Sequence, residues 1–97
     1  MKKLRFKLIN KAGLHARPAA VLVQEIKKFQ SQITIIKDNK IADAKNVLQV
    51  LSLGVDAGDI VEIIINGPDE DQVAAVIERL ITKTLPEIDG VAHEVIS

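Results

Sequence analysis

Residues 60–65 read Ile-Val-Glu-Ile-Ile-Ile, five β-branched apolar residues interrupted by one acid. β-Branched residues favour extended backbone, and a nearly continuous apolar run is typical of a strand inside a sheet. We therefore expect residues 60–65 to form a central strand. Near the start of the chain, residues 3–8 alternate charged and apolar side chains. This period of two predicts a second strand with one wet face and one buried face.

Apolar residues at helical spacing begin at about Ala16 and recur over residues 46–53, which predicts two helices. A third helix is expected to begin at Asp69, which resembles a capping box with Gln72, and to end at Pro86. Two short β-branched segments between the first two helices predict a hairpin. The order strand, helix, two strands, helix, strand, helix favours an α+β fold with helices on one face of a mainly antiparallel sheet.

The composition excludes several classes of protein. The chain has 97 residues, 47% of them hydrophobic and 27% charged, which is ordinary for one globular domain. Thirteen basic residues balance thirteen acidic ones, and the only aromatic residues are Phe6 and Phe29. Nucleic-acid binding is therefore not expected, because it usually needs a basic excess and stacking aromatics.

Metal sites, cofactors and membrane spans are not expected either. The chain has no cysteine, which rules out disulfides and thiolate metal sites. No His, Asp or Glu cluster has a recognisable ligand spacing, and no glycine-rich nucleotide loop is present. No apolar run approaches the ~20 residues of a membrane span, and the first residues lack the apolar core of a signal peptide. The expected location is the cytoplasm.

One short segment carries the candidate chemistry. His15 lies where a loop meets the first helix, and Arg17 and Pro18 follow it. Pro18 suits the first turn of a helix and restricts the residue before it, so the helix should begin sharply with free amides. Free amides and the helix dipole favour an anion, and the Arg17 guanidinium matches phosphate oxygens. A neutral imidazole here can accept a phosphoryl group.

A simpler interpretation of the same residues stays open, in which His15 caps the helix and Arg17 lies on a solvated face. Residues 13–19 read Gly-Leu-His-Ala-Arg-Pro-Ala and resemble the phosphorylation-site motif of HPr, the histidine-containing phosphocarrier of the bacterial phosphoenolpyruvate-dependent sugar phosphotransferase system. This resemblance implies an open-faced β-sandwich, with a four-stranded antiparallel sheet and three helices on one face (βαββαβα). The family-like domain would span residues 1–85, with residues 86–97 as a C-terminal extension of unknown role.

The resemblance also implies roles for residues and partners. His15 would be the phosphoryl acceptor, through Nδ1 as in the family, and Arg17 its charge partner. Ala16 and Pro18 at the helix start would support the phosphate. Enzyme I would be the donor and IIA domains the acceptors. The protein would thus be a carrier whose partners supply the turnover, not an enzyme. Nothing in the sequence requires more than a monomer, and no cofactor is expected.

The second helix departs from the family pattern at its first residue. Asn46 stands where Gram-positive members carry a serine that a dedicated kinase phosphorylates. Asparagine has no hydroxyl, so regulation at this position should be absent, although it is a good helix N-cap. Val47, Leu48 and Leu51 form a second apolar face that is either core or a docking patch. The resemblance favours docking, together with Ala20 on the first helix.

Two other readings remain. An HPr-like paralogue of a nitrogen-related or dihydroxyacetone-kinase branch would share the His15 chemistry and differ in its partners. A pure interaction module would instead act by docking through the second helix, whether or not His15 is phosphorylated. His93, in the extension, is expected to be exposed and without a chemical role.

Overall fold

A computed structural model describes residues 1–91 of the chain. Its elements follow the predicted order. The strands are β1 (Lys2–Lys7), β2 (Gln32–Lys37), β3 (Lys40–Asp43) and β4 (Ile60–Asn66). The α-helices are α1 (Ala16–Ile26), α2 (Val47–Ser52) and α3 (Glu70–Arg79).

The four strands form one antiparallel sheet in the order β1-β4-β2-β3. Strand β4 lies between β1 and β2, which confirms the central strand predicted for residues 60–65. Its residue Ile63 is opposite Leu4 on one side and Ile35 on the other. Ile63 is buried, whereas Ile60 on the other face is 48% exposed. The apolar run of residues 60–65 therefore forms a strand that is buried on one face and exposed at Ile60 on the other.

All three helices cover the same face of the sheet, so the predicted open-faced β-sandwich is confirmed. Helices α1 and α3 each bury one apolar stripe, and α2 buries Val50. The large side chains that are fully buried come from strands, helices and connecting loops alike: Leu8, Leu14, Leu22, Ile26, Ile33, Ile35, Leu53, Ile63, Ile65, Ile77, Ile81 and Leu85. Burying apolar area of this kind is the main stabilising contribution to the fold.

Local signals set both ends of α2. The Asn46 side-chain oxygen accepts hydrogen bonds from the backbone N–H groups of Leu48 (3.1 Å) and Gln49 (3.2 Å). These bonds satisfy amides that have no partner within the helix, so the predicted N-cap is confirmed. After Leu53 the chain turns at Gly54, whose φ of +65° lies in the left-handed region that favours glycine.

The capping box predicted at Asp69 is wrong. The Asp69 carboxylate makes no cap hydrogen bond and instead accepts from the backbone N–H groups of Gln30 (2.8 Å) and Ser31 (2.9 Å) and from the Ser31 hydroxyl. These donors, the Ser31 hydroxyl first, hold the pKa of Asp69 below its ordinary value. Glu70 serves the first turn of α3, because its Oε1 accepts from the Gly67 N–H (3.2 Å).

The end predicted at Pro86 is also wrong, because the helical path after α3 continues as two π-helical turns, Leu80–Thr84 and Glu87–Val91. Within an α-helix, proline removes a hydrogen bond and clashes with the carbonyl four residues earlier. A π-turn uses the carbonyl five residues earlier instead, as the Leu85 N–H does with Leu80. The wider turn lets the chain pass Pro86. No helix within residues 1–91 combines the length and apolar character needed to cross a membrane.

Candidate functional site

His15 occupies the N-cap position of α1, with extended backbone and no hydrogen bond from its side chain to the helix. The first amides of any helix have no acceptor within the helix. Here these are the N–H groups of the exposed residues Ala16 and Arg17, whereas Pro18 carries none. The imidazole itself makes no cap hydrogen bond, whereas His15 at the N-cap position and the exposed Arg17 lie where the simpler reading also places them. Two amides and the positive end of the helix dipole are left for an external anion.

The loop before His15 is pressed against the segment that follows α2. Leu14 is buried, and its N–H donates to the Val55 carbonyl (2.9 Å). Gly13 has a φ of +58°, and an added Cβ would lie 2.7 Å from the Asp56 Cα. This close backbone approach requires glycine. The loop therefore brings His15 next to Asp56.

Asp56 is the partner of His15 that sequence reasoning missed. The Nε2 atom of His15 lies 2.5 Å from Oδ1 of Asp56, and both side chains are more than half exposed. A carboxylate only accepts hydrogen bonds, so Nε2 must carry the hydrogen and donate it. The neutral ring then has its lone pair on Nδ1, the nitrogen that can act as a nucleophile.

An ion pair between Lys37 and Asp59 holds the turn that presents Asp56. Asp59 Oδ2 accepts from the Asp56 N–H (2.8 Å) and lies 3.0 Å from Lys37 Nζ. Lys37 also donates to the Gly54 carbonyl (2.8 Å). The hydrogen bond from the Asp56 backbone, followed by that from Lys37, lowers the pKa of Asp59, and the same contact raises the pKa of Lys37. Asp59 therefore stays ionised and orients the turn.

The other predicted residues of this segment lie around the helix start. Arg17 is exposed on the first turn, and within residues 1–91 its side chain forms no ion pair. Its guanidinium is thus available to an external anion. Pro18 is buried on the core side of the turn, so it shapes the helix start and does not contact a ligand from solvent. Residues 1–91 contain no group of His, Asp or Glu side chains suited to a metal ion.

The predicted docking residues lie on two helices that meet in a shallow groove. The groove has a volume of about 180 Å³, and Ala20 and Val47 line it from α1 and α2. Leu48 is 74% exposed, whereas Val47 and Leu51 are half-buried against the core. Leu48 therefore belongs to the exposed surface, whereas Val47 and Leu51 belong partly to the core and partly to the surface. We define the docking face as Ala20, Val47, Leu48 and Leu51.

Ser52, on α2, takes no part in this site. The Ser52 hydroxyl donates to the Gln49 carbonyl within α2 (2.7 Å), which is a local helix contact. His93 lies outside the described residues.

Comparison with known proteins identifies the family of this chain. The PTS-HPr family, described as "PTS HPr component phosphorylation site", matches residues 2–83. The phosphocarrier protein HPr of Treponema pallidum is 36% identical over 81 residues, which cover 84% of this chain and 92% of that protein. The HPr-like protein Crh of Bacillus subtilis is 38% identical over 78 residues, covering 80% and 88% of the two chains.

A solved structure extends the comparison to the fold. The crystal structure of HPr-C-His from Thermoanaerobacter tengcongensis superposes with a TM-score of 0.84 at 42% identity, over 88% of this chain and 96% of that one. The family match over residues 2–83 includes all four strands and the three α-helices. The chain belongs to the PTS HPr family.

Proposed function

We propose that this chain is a phosphocarrier that accepts a phosphoryl group on Nδ1 of His15 from phospho-Enzyme I and passes it to IIA domains in sugar uptake. One observation carries the proposal: the imidazole of His15 lies at an uncapped helix start and donates from Nε2 to Asp56 at 2.5 Å. This contact leaves the Nδ1 lone pair free to attack phosphorus. Membership of the HPr family supports the same chemistry.

In the first step, the Nδ1 lone pair forms a bond to phosphorus while the bond between phosphorus and the donor breaks, and the donor keeps that electron pair. Negative charge on the transferred oxygens is stabilised by the amides of Ala16 and Arg17 and by the Arg17 guanidinium. Preorganised donors of this kind are the usual means of stabilising a transferring phosphoryl group.

In the second step the group leaves again. Bonding to phosphorus puts a positive charge on the imidazole, which keeps its hydrogen on Nε2, and the Asp56 carboxylate stabilises this cation. When an acceptor attacks phosphorus, the Nδ1–phosphorus bond breaks and its electron pair returns to Nδ1. His15 is then in its original state, so the chain acts as a carrier and the partners supply the catalysis.

Partner recognition is proposed for the docking face. Leu48 is a large apolar side chain at 74% exposure, and exposed apolar patches often mark interaction sites. The groove beside it is lined by α1, which begins directly after His15. A partner bound there lies next to the acceptor nitrogen. We propose a monomeric carrier that acts in the cytoplasm, where Enzyme I and IIA domains would be its partners.

Intact-mass spectrometry tests the proposal. Wild-type protein is incubated with a matched Enzyme I, phosphoenolpyruvate and magnesium, beside His15→Ala and the control His93→Ala, which removes the other histidine of the chain. We expect one acid-labile phosphoryl adduct on wild type and His93→Ala and none on His15→Ala. Absence of an adduct on wild type with a competent Enzyme I would contradict the phosphocarrier function.

A second candidate is an HPr-like regulatory module that acts mainly by docking, and the exposure of Leu48 favours it. Relationship to an HPr-like protein such as Crh supports considering it. Asn46 has no hydroxyl to phosphorylate and already caps α2, so we do not propose kinase regulation there. The regulatory effect of two variants, His15→Ala and Leu48→Asp, distinguishes the two functions. An effect that survives His15→Ala but is lost in Leu48→Asp would favour docking.

A further inference from the structure

The chain beyond Pro86 returns to the loop that precedes His15. Oδ2 of Asp89 accepts hydrogen bonds from Asn10 Nδ2 (2.6 Å) and from the Ala12 N–H (3.0 Å). The adjacent Ile88 packs against the hydrophobic core. The family match ends at residue 83, so these contacts come from a part of this chain that the family description does not cover.

The two donors held by Asp89 lose their acceptor without it. Asn10 is only 1% exposed, and its Nδ2 group also donates to the Gly13 carbonyl (2.7 Å). The Asn10 Oδ1 atom is buried and has no hydrogen-bond partner within the described residues. Each buried polar group without a partner is costly. The buried position of the Asn10 side chain, which already has one unsatisfied atom, therefore depends on the hydrogen bonds that Nδ2 donates.

Ala12 links Asp89 to the acceptor histidine through the backbone. Its N–H donates to Asp89, and its carbonyl accepts from the His15 N–H (3.3 Å). Asn10 holds the Gly13 carbonyl from the other side of the loop. The backbone of Gly13 in turn lies against Asp56, the partner of the imidazole. Asp89 therefore fastens the loop that brings His15 and Asp56 together.

We propose that Asp89 is a positioning residue for His15 and that residues 86–91, predicted from sequence only as the start of an extension, brace the phosphorylation loop. The proposal rests on the phosphocarrier function for its effect on transfer. Asp89 itself does not contact the imidazole. It acts through the loop, by keeping Nδ1 at a constant angle to the amides of the helix start.

Three variants separate this role from charge and from general stability. Asp89→Ala removes the acceptor, whereas Asp89→Asn retains an oxygen that can accept both hydrogen bonds, as the single Oδ2 atom does now. Glu87→Ala is the matched control, because it removes one acid from an exposed position of the same turn. Hydrogen exchange at the Ala12 amide reports the brace, and exchange at the Val73 amide in α3 reports global unfolding.

We expect Asp89→Ala to accelerate exchange at Ala12 about tenfold relative to Val73 and to slow phosphoryl transfer from phospho-Enzyme I about threefold to tenfold. The apparent affinity for Enzyme I should stay unchanged, because Asp89 does not belong to the docking face. Asp89→Asn and Glu87→Ala should resemble wild type in all three measurements.

Two outcomes overturn the proposal. Exchange at Ala12 that is the same in Asp89→Ala and Glu87→Ala shows that Asp89 does not fasten the loop. Faster exchange with an unchanged transfer rate shows that the loop is fastened without consequence for His15. If wild type itself accepts no phosphoryl group, the phosphocarrier function fails, and the exchange measurement still tests the brace by itself.

Discussion

Replacing Gly13 by Ala tests how tightly the loop before His15 is held against Asp56, and the chain contains a matched control. Gly13 and Gly54 both have left-handed backbone, with φ of +58° and +65°. A Cβ added at Gly13 would lie 2.7 Å from the Asp56 Cα, whereas one added at Gly54 would meet nothing within 4 Å. Gly54→Ala therefore carries only the backbone cost, and Gly13→Ala carries the same cost together with a collision.

The two contributions have different magnitudes. Left-handed backbone costs an L-residue about 1 kcal/mol relative to glycine. A collision with backbone atoms cannot be relieved by a rotamer change, and overpacking of this kind costs ~1–3 kcal/mol more. We expect the free energy of unfolding to fall by about 1 kcal/mol in Gly54→Ala and by about 3 kcal/mol in Gly13→Ala. Domains of this size have about 5–15 kcal/mol of stability, so both variants should fold.

Urea unfolding at neutral pH measures the difference. The chain has neither tryptophan nor tyrosine, so circular dichroism of the helices is the suitable probe. Equal m-values in the two variants are required for the comparison. Gly13→Ala should also accept a phosphoryl group more slowly than Gly54→Ala, because the loop has to move away from Asp56. Equal losses of stability in Gly13→Ala and Gly54→Ala would refute the tight contact between the loop and residues 55–56.

Substitutions of Asp56 and Asp69 test two further contacts. Asp56→Ala should slow phosphorylation of His15 by about fivefold at most, because an exposed carboxylate contributes little to stabilising the cationic ring that forms on phosphorylation. The phosphorylation rate of Asp56→Asn, which keeps an acceptor for Nε2–H, should lie between those of Asp56→Ala and wild type. The ¹⁵N shifts of the ring report its tautomer. Equal rates in the three proteins would contradict the role of Asp56. The Ser31 hydroxyl lowers the pKa of Asp69 below 3.8, so ionised Asp69 contributes stability that is complete above pH 3.8 and is lost as the pH falls through the lowered pKa. Asp69→Asn should therefore reduce stability at neutral pH and flatten the acid side of a plot of urea midpoint against pH. The control Asp71→Asn should leave the acid side of that plot as steep as in wild type. An acid side that is unchanged in Asp69→Asn would argue against the contact with Ser31.

The features that could be predicted from sequence depend on neighbours a few residues apart. The alternation in β1 reflects two faces of one strand, and the apolar stripes of α1 and α3 recur every three or four residues. The Asn46 cap involves amides only two and three residues away. The segment around His15 belongs to the same class, since Pro18 and the free amides of the helix start act within one turn.

The contacts that escaped prediction join residues far apart in the sequence. Asp56 lies 41 residues from His15, and Asp69 lies 38 residues from Ser31. A short acidic side chain accepts from whichever donor the fold brings nearest, and a local cap is only one of those donors. Asp69 looked like a helix cap because its sequence neighbours suit that role. The pairing of β2 with β4, which no local pattern reveals, brings the Gln30 and Ser31 donors to it.

His15, the proposed phosphoryl acceptor, lies at the N-cap of helix α1, and the same helix supplies one wall of the groove beside the docking face. Ala20 lies five residues after His15, about 7.5 Å along the helix axis. A partner seated against Ala20 would thus be aligned with His15 by one rigid element, α1. Asn46 affects only the start of α2, through its cap. Because Asn46 acts through this cap alone, the position of the docking face relative to His15 does not depend on a hydroxyl at residue 46.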